Sequence, residues 1–212
     1  MIEFLGDKEY GGWHTETTGL NRDSIVYSFG QGDNISWDLE LIQKFGCTIY
    51  AFDPDPMSVA WLSKQKLPQQ YVFRPEGIAT YDGSQRFYHA FKANKVNAST
   101  MRKNKTFDDL RVRRLGSLMR ELGHDHIDVL KLDIEGSEYG VLEDVCDLDI
   151  RQILVEIHQR FFTGWKGLKR LYGWAKTKRL LRTMKRAGFE IMHKQDIGDG
   201  SNDGDYLFVR RR

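Results

Sequence analysis

The 212-residue chain carries 40% apolar and 29% charged residues with a formal net charge of +2, a balance that supports a sizeable core and excludes a low-complexity or disordered chain. Its two cysteines, Cys47 and Cys146, lack CxxC spacing, which excludes a disulfide framework and argues against a cysteine zinc site. No stretch approaches the ~20 apolar residues that a spanning helix needs, and the N-terminus has no long apolar leader. These features suit a soluble, cytoplasmic protein. At ~100–200 residues per domain, residues 21–212 read as one domain and residues 1–20 as an N-terminal lid or anchor.

In chain order, "SIVYSF" from 24 to 29 is a short β-branched run ending at Gly30, as a buried strand feeding a tight turn does. Ile35, Leu39, Ile42 and Phe45 then recur at helical spacing, with Gly46 as the cap. "CTIYAF" is the next strand and stops at Asp53, and Pro56 opens a helix expected to run to about Lys66. "YVFRPEGIAT" and "QRFYHAF" read as extended, Asn94 to Asp108 as a long polar loop, and Leu110 to Leu122 as a helix ended by Gly123. "IDVLKLD" is a strand followed by a short helix to about Cys146, and "QILVEIH" is another strand. A basic helix to Ala187 follows, with Leu171, Trp174, Leu181 and Met184 as its inner stripe. "FEIMHKQ" and "YLFVRR" close the chain as strands. Strands alternating with helices predict a mostly parallel sheet covered by helices on both faces, with the last strand or two reversed.

In such sheets ligands bind beyond the carboxyl ends of the strands, so the residues that matter are those where each run stops: Gly30, Asp53, Asp133 and His158. Gly30 and Gly32 in "SFGQGDN" let the backbone turn tightly and approach a ligand. Asp53, 21 residues after Gly32, stands where a carboxylate accepts both hydroxyls of a ribose. The third glycine of a dinucleotide fingerprint is replaced by Ile35, which favours an adenosine cofactor without a pyrophosphate, such as S-adenosylmethionine.

"YGGW", "IVYSFGQGDNISWD", "YAFDPDP", "LMRELGHDHIDVLKLDIEGSEYGVLEDV" and "ILVEIH" together resemble the FkbM family of class I S-adenosylmethionine-dependent methyltransferases, with "LKLDIEGSE" the most specific piece. The resemblance implies a Rossmann-like, seven-stranded sheet whose last strand is antiparallel, with the cofactor across Gly30, Gly32, Asp33 and Asp53. It further implies that Ile78 and Ala79 lie near the adenine and that Asp133 and Glu135 face the methionine end and the acceptor. The implied activity is O-methylation of a hydroxyl on a sugar or small metabolite.

A hydroxyl acceptor needs a base. His158, Asp133 and Glu135 are the catalytic candidates, with His158 favoured as base and an acid orienting it. Glu156 and His158 share a strand face and, with Asp133, could ligate a divalent cation. A hydrogen-bonded histidine is the commoner outcome, so no metal is assigned. Glu138 reads as helix-start chemistry. Tyr10 and Trp13 could cover the cofactor or merely anchor the terminus.

Ten Lys or Arg fall between Lys166 and Lys194 with Glu190 the only acid among them, which keeps a nucleic-acid (ribose) methyltransferase as one alternative. A non-catalytic Rossmann-like binding module is the other.

Overall fold

The computed structural model describes residues 1–89, 98–99, 107–159, 168–196 and 203–211. Its centre is a seven-stranded sheet built from β3 (Ile25–Phe29), β4 (Thr48–Phe52), β5 (Tyr71–Arg74), β10 (Ile127–Leu132), β11 (Ile150–Ile157), β12 (Phe189–Asp196) and β13 (Gly204–Arg210), in the order β12-β13-β11-β10-β3-β4-β5. β13, the last strand in the chain, runs antiparallel to both its neighbours, and the pairings among β11, β10, β3, β4 and β5 are parallel. The expected sheet and its reversed last strand are therefore present, with β13 one place in from the edge.

Alternate residues along each strand point to opposite faces, and the two faces make two cores. Tyr27, Phe29, Leu130, Leu132, Ile153 and Val155 pack on one side with side chains of α3 (Leu115–Leu122), α4 (Glu138–Asp144) and α5 (Leu168–Arg186). Val26, Ile49, Ala51, Val129 and Leu154 pack on the other with Trp37 and Leu41 of α1 (Ser36–Phe45). α1 ends where Gly46 adopts φ +71° and donates its N–H to the Ile42 carbonyl, a left-handed cap that glycine adopts without strain. α2 (Pro56–Leu62) starts with Pro56 at its first position and the Asp55 carboxylate accepting the Met57 N–H at 2.9 Å. It stops at Leu62, a few residues earlier than the sequence suggests.

Two features depart from the expected layout. Phe107–Arg113 forms a strand, β9, and not the first turn of a helix. It joins β6 (Gly77–Ile78), β7 (Gly83–His89) and β8 (Ala98–Ser99) in a second sheet of order β6-β9-β7-β8. Val112 keeps helical spacing to Leu115 and Met119, but Leu110 and Val112, two apart with Arg111 and Arg113 between and after them, alternate as a half-buried strand, and the partner β7 decides the matter. The described part of the expected 94–108 loop, Ala98–Ser99 and Phe107–Asp108, belongs to these strands; the rest of it lies outside the described residues. In α5 the buried stripe is Thr177, Leu180 and the expected Met184, with the expected Leu181 partly buried against it, whereas Trp174 is 55% exposed. The Leu171 side chain lies outside the description.

The first twenty residues form a hairpin of β1 (Ile2–Leu5) and β2 (Trp13–Glu16). The side chain of Gln152 in β11 bridges to the backbone of Glu16, accepting its N–H at 3.0 Å and donating to its carbonyl at 2.7 Å. Leu5 and Trp13 enter the second core. Among the described residues, no helix is long and apolar enough to cross a membrane.

Candidate active site

The turn after β3 is held from beneath. Gly30 has φ +79°, and a Cβ built on it would sit 1.7 Å from the backbone oxygen of Asp133, so only glycine lets β3 and β10 approach at this point. Asp53, at the end of β4, turns its carboxylate under the same turn. Oδ2 accepts the N–H groups of Gln31 at 2.8 Å and Gly32 at 3.0 Å, and Oδ1 accepts that of Asp55 at 2.9 Å. Burial raises the pKa of Asp53, while the backbone donors oppose the shift. This acid was expected to read a ribose directly. Its bonds fill three of about four acceptor positions, so its first job is to shape the glycine turn. Gln31 completes the brace, donating to the Ser28 carbonyl at 2.8 Å and accepting from the Tyr71 hydroxyl at 2.8 Å.

A cleft of about 460 Å³ opens above the turn, within the ~300–1,000 Å³ range of small-molecule sites. One end is lined by Phe52, Pro54, Gly77, Ile78 and Phe87, an apolar slot, and the other by Asp133, Glu135, Glu156 and Asp205. Ile78 stands on the wall. Ala79 does not: it packs behind the wall with Phe87 and Val112. Asp33 is also off the wall and accepts the Tyr10 hydroxyl at 3.4 Å. Burial, and then the Asp33 charge, push the Tyr10 hydroxyl up to about 12. Tyr10 overhangs the turn, its hydroxyl oxygen 4.0 Å from a Cβ built on Gly32, while Trp13 is 6% exposed and serves as anchor and wall together.

The acidic end is assembled from three strand ends. β10 and β11 pair in parallel with Leu132 opposite Val155, which brings Asp133 beside Glu156. β13 pairs antiparallel with β11 and sets Asp205 opposite Glu156. Burial, and then the Glu156 charge, raises both Asp133 and Asp205 to about 7. Glu135 occupies φ +47°, a region non-glycine residues rarely adopt, and strain of this kind collects at functional sites.

His158 does not stand as the open base the sequence suggests. It is 0% exposed, its Nδ1 lies 2.6 Å from Glu138 Oε1, and its Nε2 lies 3.2 Å from Glu156 Oε1 and 3.5 Å from Glu135 Oε2. Burial works against its charge, yet the hydrogen bonds with Glu138 and Glu156 prevail and push it up to about 11. At neutral pH it holds its proton and cannot accept another. Glu138, read from sequence as a helix-start acid, is fully buried and also accepts the Gly136 N–H at 2.9 Å.

Lys131 was not singled out from the sequence, although a lysine inside the apolar run "VLKL" is a signal. It is 4% exposed, donates to the Gly30 carbonyl at 3.0 Å and lies 5.4 Å from the centre of the Trp13 ring. It ties the glycine turn to the acidic end. Asp205 was missed as well, because nothing local distinguishes it from the other acids of "SNDGDY".

The chain resembles known proteins at three levels. The family described as "Methyltransferase FkbM domain" matches residues 25–191. A "Probable methyltransferase-like protein 24" of Homo sapiens is 29% identical over 182 residues, covering 82% of this chain and 43% of its own length. The chain thus spans less than half of that curated relative. Among solved structures, the Methanococcus jannaschii fibrillarin pre-rRNA processing protein superposes with a TM-score of 0.52 at 11% identity, over 99% of this chain and 82% of that one. A putative S-adenosylmethionine dependent methyltransferase from Listeria monocytogenes gives 0.52 at 10% identity, over 91% and 93%. These two likenesses are of fold. With most of its length, from the first sheet strand to β12, matched by one family, the chain belongs to the FkbM family of S-adenosylmethionine-dependent methyltransferases.

Proposed function

We propose that the protein transfers the methyl group of S-adenosylmethionine to a hydroxyl on a sugar or small metabolite. The observation that carries this reading is the single cleft that joins a braced glycine turn and apolar slot to a cluster of carboxylates. The slot suits adenine, and the turn over Asp53 suits the ribose. Methyl transfer from a sulfonium is a displacement at carbon, so the site must align donor and acceptor and remove the acceptor's proton. Glu135 is the residue we assign to take that proton, since it lines the cleft and its carboxylate is aimed by a backbone that glycine would adopt more readily. Asp133 stays in the role of acceptor-facing acid. His158 becomes a positioning residue for the acids around it.

A nucleic-acid acceptor is disfavoured by charge. The cleft wall carries nine carboxylates, from Asp7 to Asp205, against Lys8 and Lys131 among the described residues, and a phosphate backbone is drawn to the opposite balance.

Calorimetric titration with S-adenosylmethionine, S-adenosylhomocysteine and NAD tests the cofactor. Micromolar binding of the two sulfur ligands, none of NAD, and at least tenfold weaker binding by Asp53→Ala are expected. Silence for all three sinks the enzyme reading and leaves a binding module. With an acceptor found by screening, Glu135→Gln is expected to lower kcat a hundredfold or more, the lower bound of ~10²–10⁴ for general-base help, with S-adenosylhomocysteine affinity unchanged. An undiminished kcat removes Glu135 from the mechanism.

A further inference from the structure

The acidic end of the cleft holds more than a base requires. Asp133, Glu156 and His158 each bring one ligand atom to within 4.8 Å of the others. The set is mixed, two carboxylate oxygens and one imidazole nitrogen, and the register of β10 against β11 brings its two carboxylates side by side. The imidazole is independently oriented: buried Glu138 engages Nδ1 at 2.6 Å, which turns Nε2 toward Glu156 and Glu135. A carboxylate behind the far nitrogen is how proteins fix a metal-ligating histidine. Asp205 stands across β11 and β13 from Glu156, so further negative charge faces the same point. Packing like charges away from water is costly unless a cation offsets them.

We propose that Asp133, Glu156 and His158 bind one divalent cation, which displaces the proton from His158 Nε2 and holds the acceptor hydroxyl at the end of the cleft, a role that rests on the methyltransferase reading above. Donors around an ion with bonds of about 2.1 Å lie up to about 4.2 Å apart, so small side-chain rotations close this set. Two hard oxygens and one imidazole suit Mn²⁺ or Mg²⁺ better than a soft thiophilic ion, and three protein ligands leave coordination positions for the acceptor and water. A cation there lowers the pKa of the hydroxyl it binds. The hydroxyl proton passes to Glu135, an oxygen lone pair forms the new O–C bond, the C–S bond breaks, and its electron pair leaves on sulfur as neutral S-adenosylhomocysteine. Charge and atoms balance with no further reactant.

The test is equilibrium binding of Mn²⁺ to the chelator-treated full chain, read from the electron paramagnetic resonance signal of the remaining unbound ion, beside calorimetry with S-adenosylhomocysteine. One Mn²⁺ per chain is expected, displaced by excess Mg²⁺. Glu156→Gln should weaken it at least tenfold while S-adenosylhomocysteine still binds, which reports that this variant folds, and Asp133→Asn should weaken it likewise, with its fold read by circular dichroism and not by cofactor binding. Wild type that takes S-adenosylhomocysteine but no Mn²⁺ up to millimolar concentration overturns the cation site and leaves the methyltransferase reading intact. Mn²⁺ binding that both variants retain overturns the ligand assignment. Mn²⁺ binding by a chain that takes no S-adenosylhomocysteine overturns the role in methyl transfer.

Discussion

Gly30→Ala is expected to abolish cofactor binding, with S-adenosylhomocysteine affinity falling beyond calorimetric detection. The added methyl would sit 1.7 Å from the Asp133 backbone oxygen and 2.8 Å from its carbonyl carbon. Main chain of a central strand cannot swing aside as a flexible side chain does, so the turn must rise or β3 and β10 must part. Either movement pulls the Gln31 and Gly32 N–H groups off Asp53 and the Gly30 carbonyl off Lys131. The φ of +79° adds the cost of a left-handed L-residue, about 1–2 kcal/mol. Gly32→Ala is the matched control: its φ is +55° and the nearest atom to an added Cβ is the Tyr10 hydroxyl oxygen at 4.0 Å. It pays only that strain and should keep measurable binding. Equal affinities for the two variants and wild type would show that the turn does not approach the cofactor.

Glu138→Leu is expected to destabilise the fold by about 3–5 kcal/mol, the range for removing one partner of a buried ion pair. At ~2–4 °C per kcal/mol for a chain of this size, that is a fall in Tm of roughly 6–20 °C. The acid is fully buried between His158 Nδ1 and the Gly136 N–H, so its loss strands a buried imidazolium and a buried amide together. Glu138→Gln should cost clearly less, because an amide oxygen can still accept one of those hydrogen bonds. Denaturant unfolding at unchanged m-value separates the two, and a midpoint for Glu138→Leu equal to wild type would remove the pair from the stability of the site. The proposed cation site depends on the same residue through the imidazole it aims.

What was legible in the sequence follows from short apolar runs. "SIVYSF", "CTIYAF", "IDVLKLD" and "QILVEIH" identify strands buried on both faces, because a strand of a parallel sheet covered by helices on both sides is apolar nearly throughout. The strand ends then point to Gly30, Asp53, Asp133 and His158; the first three line the cleft, and His158 is buried off its wall. The local reading failed where a strand runs straight into a helix: Val112 keeps helical spacing to Leu115 while Leu110 and Val112 alternate as a strand, and β7 resolved the choice.

Roles within the cluster were not legible, since charge partners are set by register between strands and not by spacing along one. His158 reads as a base until Glu138, twenty residues earlier, meets its Nδ1. Asp53 reads as a ribose ligand until the turn folds down onto its oxygens. Lys131 and Asp205 gain their meaning only beside Gly30 and Glu156. Sequence by itself determined which residues the strands would deliver to one edge of the sheet, because where an apolar run stops is a local matter. Tertiary structure alone decided which of them hold a proton, brace a turn or face the cleft, because a buried charge takes its state from the groups the fold packs against it.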